Sequence, residues 1–325
     1  MRSRIDPFIV ALVAAALLAS FVKIGGSTQD VLKNVSLVAI GLLFFLYGTR
    51  LSTGETLAGL RHWRLHAVVL ATTFVAFPLV GLAAQLLEPD LLTPALASGV
   101  LLLCLVPTTV QSNVVYTRIA RGNVAAAVVS ASLSSLIGVF LTPALVAVLM
   151  SADAKVDADS VLRIVLQLFV PFVVGQLVRP AVGSWVTRHE SSLRFFERGS
   201  IVLVVFVAFS EGAEADIWST LSVWSVLALA AVCAVLLALA LGWSWSIGRA
   251  LGFTRRDRIT VLFCGSNKSL ASGLPIASVL FSGATLALFV LPLMLYHQMQ
   301  IIAGAMIATR LARGGDEGIE PVATG

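Results

Sequence analysis

The sequence predicts an all-α integral membrane protein of ten transmembrane helices, built as two inverted five-helix repeats whose fourth and ninth helices are broken and cross. Three observations lead there: the composition, ten spaced apolar stretches, and polar interruptions at matched places in the two halves. Of 325 residues, 58% are hydrophobic and 12% charged, with a mean hydropathy of +0.97. A soluble domain carries about 45–50% apolar and about 25% charged residues. So few charges cannot coat a water-facing surface. Lipid is the solvent for most of this chain.

Apolar stretches that suit the ~30 Å hydrocarbon core fall at 7–22, 33–49, 66–87, 92–118, 122–150, 159–180, 195–210, 219–248, 258–281 and 283–309. They are helical, because only helices and closed barrels satisfy every backbone group in lipid. They are also too continuous for the alternating ~10-residue strands of a membrane barrel. The first stretch ends in no small-residue cleavage site and more spans follow, so it reads as a membrane helix rather than a signal peptide.

Loop charges set the topology. With the N-terminus in the cytoplasm, 17 of the 22 basic residues fall on that side, including Arg50, Arg61, Arg118, Arg188, Arg255 and Arg313. The other side receives Lys23, Lys33, Lys155 and Arg163, with Glu88, Asp153, Glu211 and Glu214 among its acidic residues. Lys and Arg concentrate in cytoplasmic loops. Both termini are therefore expected inside a plasma (inner) membrane, with 311–325 as a cytoplasmic tail. The net charge of +5 is explained by this asymmetry, and no basic stripe interleaved with aromatics points to nucleic acid.

Several chemistries are absent. Cys104, Cys233 and Cys264 lie in apolar segments without Cys-x-x-Cys spacing, against a disulfide framework or zinc site. His62 and His66 fall in a cytoplasmic loop with no third ligand. There is no Ser/His/Asp constellation and no phosphate-binding loop, so neither an enzyme nor an ATP-driven pump is expected.

The halves 1–151 and 156–310 hold five spans each. Since five is odd, the second half enters the membrane from the opposite side, as in the inverted repeats of secondary transporters. A loose echo accompanies this: Leu51-Ser52-Thr53-Gly54-Glu55 after span two resembles Phe209-Ser210-Glu211-Gly212-Ala213 after span seven. The fourth span contains Pro107, Thr108, Thr109, Gln111, Ser112 and Asn113; the ninth contains Gly265, Ser266, Asn267, Lys268 and Ser269. Corresponding interruptions in two halves point to a transporter's binding site. A broken helix exposes N–H groups at one new end and C=O groups at the other, suiting anions and cations respectively. Ser112, Asn113, Asn267 and Ser269 are types that cap a helix N-terminus. Ser130, with Ser132, Ser134 and Ser135, lines span five, where hydroxyls serve helix packing or a site.

Lys268 lies roughly 15 Å deep if its segment is helical at 1.5 Å per residue. An intramembrane Lys is costly and functional by default. The sequence reading places no Asp or Glu inside a span, leaving it without an obvious carboxylate. Three roles are open: an ammonium on carbonyl ends at the crossing, a contact for an anionic substrate, or a proton taken up and released during transport.

The stretches Ser112-Asn113-Val114-Val115, Ala120-Arg121-Gly122-Asn123-Val124-Ala125 and Leu141-Thr142-Pro143 resemble the fourth and fifth helices of the bile acid:sodium symporter family. The run from Phe263 to Gly273 resembles its SBF-like branch. The resemblance implies a panel and a core domain, each drawn from both repeats, and sodium-coupled uptake of a small organic anion. Ser112 and Asn113 match the serine–asparagine pair that helps hold one sodium ion, which makes sodium the implied ion. Other positions depart from the pattern. Ala127 and Ala131 stand where sodium-binding hydroxyls are expected, Phe263 where the symporters carry a glutamate, and Asn267 where they carry a glutamine. Lys268 follows at once, which leads to the expectation that its charge stands where a sodium ion would sit. Two alternatives stay open: arsenite efflux, since related carriers use a fourth-span cysteine and Cys104 lies on that span, and a non-transporting membrane sensor. The substrate and the oligomeric state are not written in the sequence.

Overall fold

The computed structural model describes residues 7–22, 24–50, 62–88, 90–150, 158–216, 221–281 and 283–313. Every regular element among them is helical. In chain order these are α1 (Pro7–Phe21), α2 (Ser27–Arg50), α3 (Trp63–Ala71), α4 (Phe77–Ala84), α5 (Pro94–Leu105), α6 (Gln111–Ile119), α7 (Val124–Leu149), α8 (Ala158–Arg188), α9 (Glu190–Glu214), α10 (Val223–Ala250), α11 (Arg255–Ser266), α12 (Leu270–Leu280) and α13 (Gly283–Arg313). A π-helical turn, Thr72–Ala76, joins α3 to α4, so the two run as one rod. The echo segment Leu51–Glu55, the 151–157 junction between the halves and the tail from 314 onward lie outside the described residues. The matching stretch Phe209–Ala213 is not a loop but the last turns of α9.

Among the described residues six helices are long and apolar enough to cross a membrane: Ser27–Arg50, Trp63–Leu87, Val124–Leu149, Leu166–Arg188, Val223–Ala250 and Thr285–Arg313. Each remaining predicted stretch falls short for a physical reason. The first forms only the 15 residues of α1. The fourth and ninth are each split into two half-helices, α5/α6 and α11/α12. The seventh becomes α9, which carries Glu190, Arg194, Glu197, Arg198, Glu211 and Glu214. Glu197 corrects the sequence reading: it lies within the 195–210 stretch and is buried. Its cost in the apolar interior is offset by pairing with Arg50, whose Nη1 lies 2.7 Å from Glu197 Oε2.

Helices α1, α2, α8 and α9 pack on one another, while α3–α7 and α10–α13 gather around the two breaks. The groups meet chiefly where α9 lies on α12 and α13 and where α8 lies on α7. Within the first group, α2 and α8 touch backbone to backbone. A Cβ at Gly48 would collide with the Phe172 carbonyl, and one at Gly175 with the Phe45 carbonyl. Small residues at such points let membrane helices approach closely.

The second group is stitched at one end by the turn between α6 and α7. Arg121 turns the chain with φ 59°, and the Gly122 N–H donates to Thr117 O at 2.7 Å. A Cβ on Gly122 would sit 2.6 Å from Ile259 Cγ2. Asn123 caps α7 through Ala126 N at 3.1 Å, donates to Asp257 Oδ1 at 2.8 Å, and its carbonyl accepts from Thr260 Oγ1 at 2.9 Å. The two half-helix pairs are thereby locked in one register.

Candidate transport site at the helix crossing

The break in the first half begins at Pro107, which has no N–H and disfavours helix at the residue before it. Val106 accordingly turns extended, at φ −78° and ψ 154°. The carbonyls of residues 104–107, at and just past the end of α5, then need donors, and each finds one. Leu105 O accepts from Thr142 Oγ1 at 2.9 Å, and Pro107 O from the Ser269 N–H at 2.8 Å. Cys104 O and Val106 O accept from Lys268 Nζ at 3.0 and 2.9 Å. Thr108 N–H, which would have closed the helix onto Cys104 O, donates to Ser134 Oγ at 3.1 Å instead.

Lys268 completes its three donors on Thr73 O at 3.1 Å. That carbonyl is available because of a local irregularity. The Phe77 N–H bonds Thr72 O in π register, and the next donor in that register would be Pro78, which has none. A π-turn and a proline together expose one carbonyl at mid-helix. The ammonium also lies 3.9 Å from the centroid of the Phe77 ring, a favourable cation–π placement. Lys268 is fully buried. Carbonyl dipoles, with the negative end of the α5 macrodipole behind two of them, take the place of a carboxylate.

The second break is held as tightly. The Lys268 N–H donates to Gln300 Oε1 at 2.7 Å, and Gln300 Nε2 returns a bond to Lys268 O at 2.7 Å. His297 Nδ1 lies 2.9 Å from the same amide, and Tyr296 OH donates to Ser266 O at 2.7 Å. A direct amide bridge then joins the breaks: Asn267 Nδ2 donates to Asn113 Oδ1 at 2.6 Å, while Asn113 Nδ2 donates to Thr108 Oγ1 at 2.9 Å.

The sequence-derived site residues divide clearly. Pro107, Thr108, Asn113, Asn267, Lys268 and Ser269 meet at the crossing. Thr109 is buried beside it, and Gln111 is exposed at the start of α6. Of the four expected capping residues only Ser269 caps, its Oγ accepting from Ser272 N at 3.1 Å. Ser112 and Asn113 are inside α6, which Val110 precedes without a side-chain cap; the helix starts earlier because Pro107 forces the break upstream. Ser266 bonds its own helix at Leu262 O, 2.6 Å away. Ser130 is drawn to His66, with Oγ 2.7 Å from Nδ1. His66 is thus a buried residue of α3, not a loop residue. Ser134 and Thr142, noted in the sequence only as a span-five hydroxyl and as part of a motif, join the site through their side chains; Tyr296 and Gln300 join by side chains and Thr73 by its carbonyl, none of them singled out by the sequence. Ser269→Ala should cost about 1 kcal/mol, the usual loss for an N-cap, as a lowered unfolding temperature in detergent.

The donor set fits a sodium ion poorly. Asn113 Oδ1 already accepts from Asn267 Nδ2, Phe263, Ala127 and Ala131 offer no oxygen side chains, and the carbonyls of the break already receive an ammonium. The Ser112 hydroxyl is buried without a hydrogen-bond partner among the described residues. Among the described residues no three His, Cys, Asp or Glu side chains gather around a common point.

Two interrupted helices that close each other's backbone groups in an apolar interior are the construction on which secondary transporters build their binding sites. The chain belongs to the SBF-like CPA transporter family, which it matches over residues 6–313. It is 48% identical over 314 residues to an uncharacterized protein of Pseudomonas aeruginosa, covering 96% of this chain and 94% of that one. A candidate symporter of Escherichia coli K12, YfeH, is 44% identical over 310 residues, covering 95% and 93%. The sodium/bile acid cotransporter 7 of Rattus norvegicus is 27% identical over 307 residues, covering 92% and 89%. The protein is a membrane transporter that resembles the bile acid:sodium symporters.

Proposed function

We propose that the chain is a secondary active transporter of a small organic anion, with Lys268 as a built-in cation where its relatives' names imply a coupling sodium. It would span the plasma (inner) membrane ten times, with both termini cytoplasmic and two inverted five-helix repeats. The single observation behind this reading is the Lys268 ammonium, enclosed by the carbonyls of Thr73, Cys104 and Val106. A cation bound at a half-helix C-terminus meets that electrostatic need without an ion from solution. Alternating access follows from movement of the α1, α2, α8 and α9 group, as a panel, against the core that holds the crossing, with the anion held between them. The test is uptake of labelled organic anions, taurocholate first, into proteoliposomes with sodium or choline as the external cation. Uptake that persists in choline supports the reading. Uptake confined to sodium rejects the built-in cation, and the absence of counterflow for every anion tried rejects organic-anion transport.

A further inference from the structure

Ion pairs tie α2 to α9 near both ends: Lys33 Nζ lies 2.9 Å from Glu211 Oε1, and Arg50 Nη1 lies 2.7 Å from Glu197 Oε2. The cations are used differently. Lys33 is 41% exposed at its side chain, so its remaining protons reach water, and the second oxygen of Glu211 accepts from Gly283 N at 2.6 Å. Arg50 gives only Nη1 to Glu197. Its Nε and Nη2 are buried and have no hydrogen-bond partner among the described residues, although the side chain as a whole is 27% exposed.

Buried donors on a charged group are costly to leave unpaired and are rare in native structures. Nε–H and Nη2–H lie along one edge of the guanidinium plane. That edge receives two oxygens of one carboxylate, sulfonate or phosphate side by side. Its surroundings connect it to the crossing. Tyr47 OH lies 3.3 Å from Glu197 Oε1 and 3.3 Å from Ala271 O, in the first turn of α12 behind the Ser269 cap. Arg50 therefore stands where the α2–α9 group meets the second broken helix, and Glu197 already compensates its unit charge.

We infer that the Nε/Nη2 edge of Arg50 binds the anionic group of the transported solute when α2 and α9 part from α12. This rests on the organic-anion reading above and assigns that solute's charged end to a residue. Glu197 positions the guanidinium by its third nitrogen, and Tyr47 links that pair to α12.

The test uses the full-length protein in nanodiscs of phosphatidylcholine alone. Taurocholate, a sulfonate, and octanoate, a carboxylate, serve as anionic probes, with octanamide as the neutral control; binding is read from the unfolding temperature. At least one anion should stabilise the wild type and octanamide should not. Arg50→Lys, which keeps the charge and the Glu197 pair, should weaken the anion about tenfold, as expected when a two-point contact becomes one. Equal affinity in Arg50→Lys overturns the inference, as does stabilisation by octanamide or no stabilisation by either anion. Phosphatidylglycerol that copurifies with the wild type and is lost from Arg50→Lys assigns the edge to lipid phosphate, also overturning it. Should Arg50→Lys not fold, phenylglyoxal modification of wild-type Arg50, mapped by mass spectrometry, decides instead: protection by the bound anion supports the site and its absence refutes it. Anion binding at Arg50 without uptake would leave this site standing and remove the transport reading. Uptake with an unchanged KM in Arg50→Lys would do the reverse.

Discussion

Lys268→Met should abolish anion uptake and lower the unfolding temperature by many degrees. The methionine fills similar space but donates nothing, so the carbonyls of Thr73, Cys104 and Val106 lose their common donor. An unsatisfied buried acceptor costs about 1–3 kcal/mol, and water is scarce at this depth. The Phe77 ring also loses its cation. Lys268→Arg should fare little better for stability, because the fully enclosed site has no room for a planar guanidinium. Melting curves of detergent-purified variants, alongside uptake in proteoliposomes, check both. Wild-type stability in Lys268→Met would show that the carbonyl cage does not depend on the ammonium.

Gly175→Ala should be nearly as damaging through sterics alone. The new methyl meets the Phe45 carbonyl of α2, a backbone atom that cannot swing aside, and Gly48 meets Phe172 in the same way on the facing helix. Overpacking of a tight interior costs about 1–3 kcal/mol even where side chains can yield, so a backbone clash should reach the top of that range. Gly183, on the same helix, is different: a methyl there would meet only Arg179 Cγ, at 3.6 Å. Gly183→Ala should therefore be neutral or stabilise slightly, since it relieves the helix of a glycine. Thermal unfolding of the two alanine variants separates the effects; equal melting temperatures would refute the α2–α8 contact.

The two breaks were legible because polar and helix-breaking residues interrupt otherwise apolar runs, and lipid gives such residues few explanations. Lys268 was legible for the same reason. What it binds was not. The donors and acceptors around it are mostly backbone carbonyls, which every residue has, and the one at Thr73 is exposed only by a π-turn ahead of Pro78. Gln300 and Tyr296 were hidden differently: both sit in the polar run Tyr296-His297-Gln298-Met299-Gln300 of a long apolar helix, and nothing local shows that they face residues some thirty positions earlier. The capping expectation failed at Ser112 and Asn113 because Pro107 moved the start of α6 upstream, while it held at Ser269, where no proline intervenes. Glu197 was missed because the charges from Arg188 to Arg198 run into the start of the 195–210 stretch and blur where the span begins. Only the fold reveals that α9 carries Glu197 into the interior against Arg50.

The most direct measurement is the sodium dependence of thermal unfolding, comparing wild type with Lys268→Ala at constant ionic strength, choline replacing sodium. A resident ammonium predicts a flat response in the wild type and a saturable stabilisation by sodium in the alanine variant, whose carbonyls then accept an ion from solution. Saturable sodium stabilisation of the wild type, undiminished in Lys268→Ala, would contradict it.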